Sequence, residues 1–197
     1  PQGNNGPQGP IGINANGVNV VEGNHIYNNC KYSIVSIISN INNWVTGSGF
    51  FIKTAQNDRK DYIVTCYHNI FYENSQTDII WALVHNINQT NTNKYIKCRI
   101  IGVDGAADIA VLEPIESNYI INQNLLEWGN SRTVENGQTC YVMGDPLGID
   151  VTSICRGIVR DNKYVDSDGI TVIESILTDA PIYAGNSGGP IIDTNNK

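Results

Sequence analysis

Short β-like runs separated by clusters of Asn, Gly and Asp constrain the fold of this 197-residue chain more than any other feature. Strands of this length at this spacing are typical of an all-β sandwich or barrel. Helical periodicity is scarce, with one weak candidate near residues 69–72. We therefore predict an all-β protein. The ten strand-sized runs cover residues 32–38, 49–52, 61–65, 79–84, 96–103, 109–112, 139–143, 154–159, 170–176 and 190–192.

Composition and charge exclude several classes of function. Nineteen acidic and twelve basic residues give a net charge of −7, which argues against a nucleic-acid partner, because that would need a clustered basic face. A hydrophobic fraction of 41% is sufficient for a packed core. No apolar run reaches the roughly 18 to 20 residues needed to span a bilayer, so no membrane segment is predicted.

The first 17 residues differ from the remainder. Glycine stands at positions 3, 6, 9 and 12 with two prolines between them, and only glycine fits at the axis of a collagen triple helix. We interpret residues 1–17 as a collagen-like tail that would hold three chains together as a homotrimer, with a plain Gly/Pro linker as the alternative. Residues 18–197 are then the main domain.

The five cysteines, Cys30, Cys66, Cys98, Cys140 and Cys155, form no CxxC pair and lie in or beside apolar runs. Buried free thiols are expected, and neither a metal nor a cofactor is predicted. The odd count also leaves open an intermolecular bridge in an oxidising compartment.

A serine flanked by glycines lies near the C-terminus, in the sequence AGNSGGP over residues 184–190. Glycines remove side-chain bulk, let a carbonyl substrate approach, and allow backbone N–H groups to converge on one point. The same pattern fits the nucleophile elbow of the α/β-hydrolases, in which the histidine follows the serine. In the sequence as given, His25, His68 and His85 all precede Ser187, which argues against that fold.

Two further residues complete a catalytic order. His68 ends the apolar run 62–68, and Asp108 stands just before the apolar run 109–112. Either residue alone is more often structural. Together with Ser187 they give the order His, Asp, Ser, which is that of chymotrypsin-like proteases.

Six segments then carry a resemblance to a family. The chain resembles trypsin-like serine proteases of the chymotrypsin fold, closest to the HtrA/DegP branch. The matching segments are GSGFFI (47–52), YIVTCYH (62–68), DGAADIAVL (104–112), GDPLG (144–148), SICRGIV (153–159) and TDAPIYAGNSGGPI (178–191).

The resemblance implies two antiparallel six-stranded β-barrels, the first over about residues 26–115 and the second over about 125–197. It also implies that Ser187 is the nucleophile, His68 the general base and Asp108 the residue that orients the imidazole. The backbone N–H groups of Gly185 and Ser187 would form the oxyanion hole. A peptide or protein would be the substrate.

Three positions depart from the family or from its digestive members. Asn186 replaces the aspartate that binds a newly cut N-terminus in digestive zymogens, which disfavours activation by trimming. Pro181, followed by Ile182 and Tyr183, occupies the place of trypsin's acidic specificity residue, so we expect an apolar or small P1 side chain. Cys66 stands two residues before His68, where the family usually has a small residue.

Three wider expectations concern the second barrel, the function and the location. The family's chain normally continues after the serine strand with a hairpin that lines the S1 pocket, so the sequence is expected either to be a fragment or to complete its second barrel differently. The alternative function is a collagen-like structural or adhesive protein whose protease-like domain serves binding or trimerisation. The chain is rich in Asn and Ile, and in this it is similar to proteins from large DNA viruses. A viral origin would place the protein in a virion or host cell, and secretion is the alternative.

Overall fold

A computed structural model describes residues 20–39, 45–52, 61–72, 75–76, 80–87, 92–115, 125–146, 152–167 and 172–197. One α-helix, α1, spans Val20–Cys30. The strands in the described residues are β1 (Ile34–Ser39), β2 (Val45–Ile52), β3 (Tyr62–Cys66), β4 (Phe71–Tyr72), β5 (Ser75–Gln76), β6 (Ile80–Ile87), β7 (Thr92–Asp104), β8 (Ile109–Pro114), β9 (Thr139–Gly144), β10 (Ser153–Ser167), β11 (Val172–Thr178) and β12 (Ile191–Ile192).

Six strands close into an antiparallel barrel in the order β1-β2-β3-β8-β7-β6. Because side chains alternate across a strand, every second residue of a strand faces the barrel interior. Closure leaves no unpaired edge. The predicted first barrel is confirmed by this arrangement. Its buried core consists of Val35, Ile37, Phe51, Ile63, Ile70, Ile80, Ala82, Val84, Ile96, Cys98, Ala110 and Leu112.

The second sheet is open. It has four strands in the order β11-β10-β9-β12 among the described residues. The resemblance implied a second six-stranded barrel, and the sequence led us to expect that this barrel is incomplete or completed differently. The second sheet does not close among the described residues, which agrees with that expectation. The strand β12 has two residues and pairs with β9 alone, through Ile191 with Val142 and Ile192 with Tyr141.

The helix α1 was not predicted from the sequence. Ile26 and Cys30, one turn apart, are buried in a cluster that includes Tyr141 of β9 and Ile192 of β12. The opposite face of α1 is exposed at Asn24 and carries polar side chains. Tyr27, which is half-buried, packs against the same cluster. The other described residues of the helix are mostly polar, so the sequence shows too little apolar periodicity to indicate a helix. The weak helical candidate at 69–72 corresponds instead to a 3₁₀ turn at Tyr67–Asn69 followed by β4.

A buried polar contact joins the barrel to the open sheet. The Ser36 hydroxyl of β1 donates a hydrogen bond to the carboxyl group of Asp145, which follows β9 and is fully buried. The backbone N–H of Asp145 donates to Ser48 Oγ of β2 at 2.8 Å. These contacts fix the end of β9 against two barrel strands.

All five cysteines are free in the structure. The expectation of buried thiols holds for Cys30, Cys98 and Cys140, whereas Cys66 and Cys155 are half-buried. No helix in the described part of the chain is long and apolar enough to cross a membrane. The predicted collagen-like segment, 1–17, lies outside the described residues.

Candidate active site

His68 and Asp108 meet at one edge of the barrel. His68 lies in the 3₁₀ turn directly after β3, and Asp108 lies directly before β8. Because β3 and β8 are antiparallel and pair Cys66 with Ile109, the end of one strand and the start of the other are adjacent. His68 Nδ1 is 2.7 Å from Asp108 Oδ2, and the His68 backbone N–H donates to Asp108 Oδ1 at 2.9 Å. Both carboxylate oxygens therefore hold the histidine.

The backbone of Asp108 is in the left-handed region, with φ 55°. Aspartate is one of the few side chains found there with any frequency. The preceding turn is secured by Asp104 Oδ1, which accepts hydrogen bonds from the N–H groups of Ala106 and Ala107 at 3.0 Å each. The Asp108 carbonyl oxygen accepts from the Tyr67 N–H at 3.1 Å. These bonds keep a strained residue aimed at the imidazole.

The carboxyl group of Asp108 is poised to stay ionised. Partial burial raises its pKa, but the hydrogen bonds from the backbone and ring of His68, the charge of that ring and the Cys66 thiol together outweigh this effect. The net result is a pKa below the ordinary value for aspartate. A negative charge is thus maintained beside His68 Nδ1.

The serine lies in a loop of two successive tight turns. The Asn186 N–H donates to the Tyr183 carbonyl at 3.0 Å, and the Gly189 N–H donates to the Asn186 carbonyl at 2.9 Å. Gly185 and Gly188 have φ of 97° and 85°. A Cβ atom on Gly188 would lie 2.3 Å from the Ser48 carbonyl oxygen and 2.8 Å from the Cys66 nitrogen. Glycine at 188 is therefore required by both its backbone angle and the closeness of β2 and β3.

Two barrel residues hold Ser187 beside the histidine turn. Its carbonyl oxygen accepts from the Ser48 N–H at 2.8 Å and from Asn69 Nδ2 at 2.9 Å. Ser48 Oγ also donates to the Gly185 carbonyl at 2.6 Å. No hydrogen bond joins the Ser187 hydroxyl to the His68 ring among the described residues. Catalytic hydrogen bonds are often long or poorly aligned before substrate binds, so the missing bond does not argue against a nucleophile and its base.

Sequence reasoning missed Ser48 and Asn69. Ser48 belongs to the Gly-Ser-Gly-Phe segment, and Asn69 directly follows His68, so both positions lay within segments that had been singled out. Their roles depend on contacts with a loop more than 115 residues away in sequence. No local pattern encodes such a contact.

The backbone N–H groups predicted to form the oxyanion hole, those of Gly185 and Ser187, both lie in the serine loop. Within the described part of the chain, the backbone N–H groups of Gly185 and Ser187 have no hydrogen-bond acceptor. The N–H of Asn186, between them, is used in the turn. Two neighbouring donors are thus available on the serine loop.

A family comparison matches residues 47–197 to the trypsin-like peptidase domain. This range includes His68, Asp108 and Ser187. The chain belongs to the trypsin-like peptidase family.

Curated relatives of the chain are named as proteases of the Do-like (HtrA/Deg) type, which agrees with the resemblance to trypsin-like serine proteases. Protease Do-like 8, chloroplastic, from Arabidopsis thaliana is 32% identical over 143 residues, which cover 70% of this chain and 31% of that protein. Protease Do-like 5, chloroplastic, from the same plant is 32% identical and covers 76% of this chain and 45% of that protein. The chain thus spans less than half the length of these relatives.

Solved structures agree with the sequence comparison. The crystal structure of Deg5 superposes with a TM-score of 0.69 at 25% identity, and the match covers 89% of this chain and 81% of that one. A bacterial relative, the serine protease Do-like HtrA of Bacillus subtilis (strain 168), is 29% identical over 161 residues. The fold of this trypsin-like peptidase is therefore that of the HtrA/Deg proteases.

The residues predicted to bind substrate lie on the surface before the serine loop of this trypsin-like peptidase. Pro181, Ile182 and Tyr183 are all exposed, with Ile182 at 60% and Tyr183 at 58%. Exposed apolar side chains beside a nucleophile form a suitable surface for an apolar substrate group.

Cys66 lies inside the site of this trypsin-like peptidase. Burial, together with the charge and the hydrogen bond of Asp108, raises the pKa of its thiol to about 11, although the Gly188 N–H favours the thiolate. At neutral pH the thiol is therefore protonated and is a poor nucleophile. Cys66, His68 and Asp108 present ligand atoms that all lie within 4.8 Å of one another, and they are the residues of the described chain that could hold a metal ion.

Proposed function

We propose that the chain is a serine endopeptidase that cleaves peptide bonds through Ser187, His68 and Asp108. The observation that carries the proposal is the pair of hydrogen bonds from His68 to Asp108, at 2.7 and 2.9 Å, beside a turn bonded to the Ser187 carbonyl. A carboxylate that holds both the ring and the backbone of one histidine next to a glycine-flanked serine is the arrangement that activates a hydroxyl nucleophile.

The reaction begins with the attack of Ser187 Oγ on the scissile carbonyl carbon. His68 Nε2 accepts the hydroxyl proton and then donates it to the leaving amine. Asp108 keeps the remaining ring proton on Nδ1 and stabilises the imidazolium. A water molecule, activated by the same histidine, then hydrolyses the acyl-enzyme and restores the serine.

The tetrahedral intermediates carry a negative oxygen. The N–H groups of Gly185 and Ser187 are proposed to bind it, and each such donor typically stabilises the transition state by about 3–4 kcal/mol. Support comes from Ser48 Oγ, which holds the Gly185 carbonyl at 2.6 Å and so restricts the orientation of the loop that carries both donors.

The substrate is proposed to be a peptide or protein with an apolar or small P1 side chain. Ile182 and Tyr183 are exposed. Position 181 is proline, so it carries no carboxylate that could bind a basic P1 side chain. A peptide library should be cut after apolar or small residues, whereas cleavage mainly after Arg or Lys would contradict this specificity.

Asn186 supports an enzyme that needs no N-terminal trimming. Its amide carries no charge with which to bind a newly formed N-terminus, and its side chain is already buried.

Trimerisation through residues 1–17 stays a prediction, as does a viral location. The comparisons give no support to the alternative of a structural or adhesive protein.

The direct test is peptide cleavage by purified wild type and by Ser187→Ala. The variant should retain the fold and lose at least about 10³-fold in kcat, since the nucleophile acts together with the rest of the triad. Ser153→Ala, at a half-buried serine of β10, is the matched control and should keep the wild-type rate. Unchanged cleavage by Ser187→Ala would overturn the proposal.

A further inference from the structure

The cluster of Cys66, His68 and Asp108 has a chemistry that peptide cleavage does not use. A thiol, an imidazole and a carboxylate lie with their ligand atoms within 4.8 Å of one another. Cys66 comes from the end of β3, His68 from the turn after it and Asp108 from the start of β8, so the antiparallel pairing of these two strands assembles the set. No metal was predicted from the sequence because its cysteines form no CxxC pair. A mixed site of sulfur, nitrogen and oxygen ligands does not need such a pair.

We propose that this cluster, Cys66 Sγ, His68 Nδ1 and Asp108, is an inhibitory site for a thiophilic divalent cation of the Zn²⁺ type. Sulfur, imidazole nitrogen and carboxylate oxygen are the three ligand types that Zn²⁺ and Co²⁺ take from proteins. Three protein ligands leave a fourth tetrahedral position for water.

Access and charge both favour an ion at this place. The side chains of His68 and Asp108 are 54% and 44% exposed, so an ion can reach them from solvent. A thiolate and a carboxylate together carry two negative charges, which a divalent cation neutralises. The cation takes the sulfur as a thiolate, so binding releases the thiol proton to water.

Inhibition follows from the tautomer of His68. In a neutral imidazole one ring nitrogen carries the proton and the other is free to accept or to ligate. A cation on Nδ1 displaces the proton from that atom, and the neutral ring then carries its proton on Nε2. Nε2 is the atom that must accept the Ser187 proton, so the metal-bound histidine cannot act as the base. The cation also replaces the 2.7 Å contact between Nδ1 and Asp108.

The binding step is tested with Co²⁺, whose thiolate complexes absorb in the near ultraviolet. Titration of the full chain, reduced and kept free of oxygen, should give a sulfur-to-cobalt band that saturates at one ion per chain. Cys66→Ala should abolish the band, and His68→Ala should weaken binding at least about 100-fold, since even outer-shell partners of a metal are worth about 10–100-fold. Cys155→Ala, at the other half-buried thiol, is the matched control and should keep the band.

The inhibition step rests on the proposed protease function and has a separate readout. Zn²⁺ should inhibit peptide cleavage by wild type and by Cys155→Ala, and each variant is compared with its own metal-free rate. Cys66→Ala should require at least about 100-fold more Zn²⁺, for the same reason of a lost ligand.

The outcomes separate the two claims. A Co²⁺ band that is absent in wild type, or that persists in Cys66→Ala, overturns the metal site whether or not the chain cleaves peptides. A band that depends on Cys66 without inhibition of a working protease overturns the inhibitory role. Absence of any cleavage leaves the cobalt result to decide the site and contradicts only the proposed function.

Discussion

At the scale of single residues, Asp108 combines two functions. It occupies a left-handed backbone position, φ 55°, and it accepts hydrogen bonds from both the ring and the backbone of His68. The order His68, Asp108, Ser187 is visible in the sequence, because His68 and Asp108 adjoin apolar runs and Ser187 is flanked by glycines. The strained backbone and the contribution of Cys66 could not be predicted, since both arise only when β3 and β8 pair.

Asp108→Asn should lower kcat by about 10⁴-fold while leaving the fold intact. An amide can donate to Nδ1, which favours the tautomer with the proton on Nε2, so the base is blocked. Asp104→Asn is the matched control: the asparagine oxygen can still accept from Ala106 and Ala107, and activity should stay close to wild type. Steady-state kinetics on a peptide substrate measure both, and a loss below tenfold in Asp108→Asn would contradict the role given to this residue.

At the scale of elements, the serine loop and helix α1 differ in how far the sequence reveals them. The loop is visible in the sequence because glycines flank Ser187, and glycine at 188 is required by the closeness of the adjacent strands. Each of the ten predicted strands corresponds to a strand of the structure, because short apolar runs between Asn, Gly and Asp clusters are typical of strands. The helix was missed because Ile26 and Cys30, which are buried in the core, do not belong to a run of apolar residues in the sequence.

Gly188→Ala should abolish cleavage and lower stability more than Gly137→Ala does. Both glycines have nearly the same φ, 85° and 87°, so both substitutions carry a left-handed backbone cost of about 1–2 kcal/mol. Only at 188 would the new Cβ meet other atoms, at 2.3 Å, whereas at 137 nothing lies within 4 Å. Urea denaturation and peptide cleavage measure the difference. Equal losses in the two variants would show that β2 and β3 do not constrain the serine loop.

Ile26→Ala should lower the free energy of unfolding by about 2–5 kcal/mol, the usual cost of truncating a buried isoleucine. Ile26 is 0% exposed and packs with residues of β9 and β12, so α1 is part of the same core. Asn24→Ala, on the exposed face of α1, should change stability by no more than about 0.5 kcal/mol. Chemical denaturation compares them, and a neutral Ile26→Ala would mean that the helix does not contribute to the core.

At the scale of the whole molecule, the site is built where the barrel meets the open sheet. The barrel supplies His68, Asp108, Ser48 and Asn69, and the second part of the chain supplies Ser187. The hydrogen bond of Ser36 with Asp145 and the hydrogen bonds of Ser48 hold the barrel and the second part of the chain together. The fold class and the first barrel could be predicted from sequence. An incomplete or differently completed second barrel was also expected from the sequence. The strand order β11-β10-β9-β12 was not, because an apolar run does not determine which strands pair with it.

The central claim is that Ser187 is an activated nucleophile, and labelling with a fluorophosphonate tests it without any knowledge of the substrate. Intact mass and peptide mapping should show a single adduct on Ser187 in wild type, none in Ser187→Ala, and much slower labelling in His68→Ala, which lacks the base. Folded wild-type protein that does not react, or equal labelling of wild type and Ser187→Ala, would contradict the account.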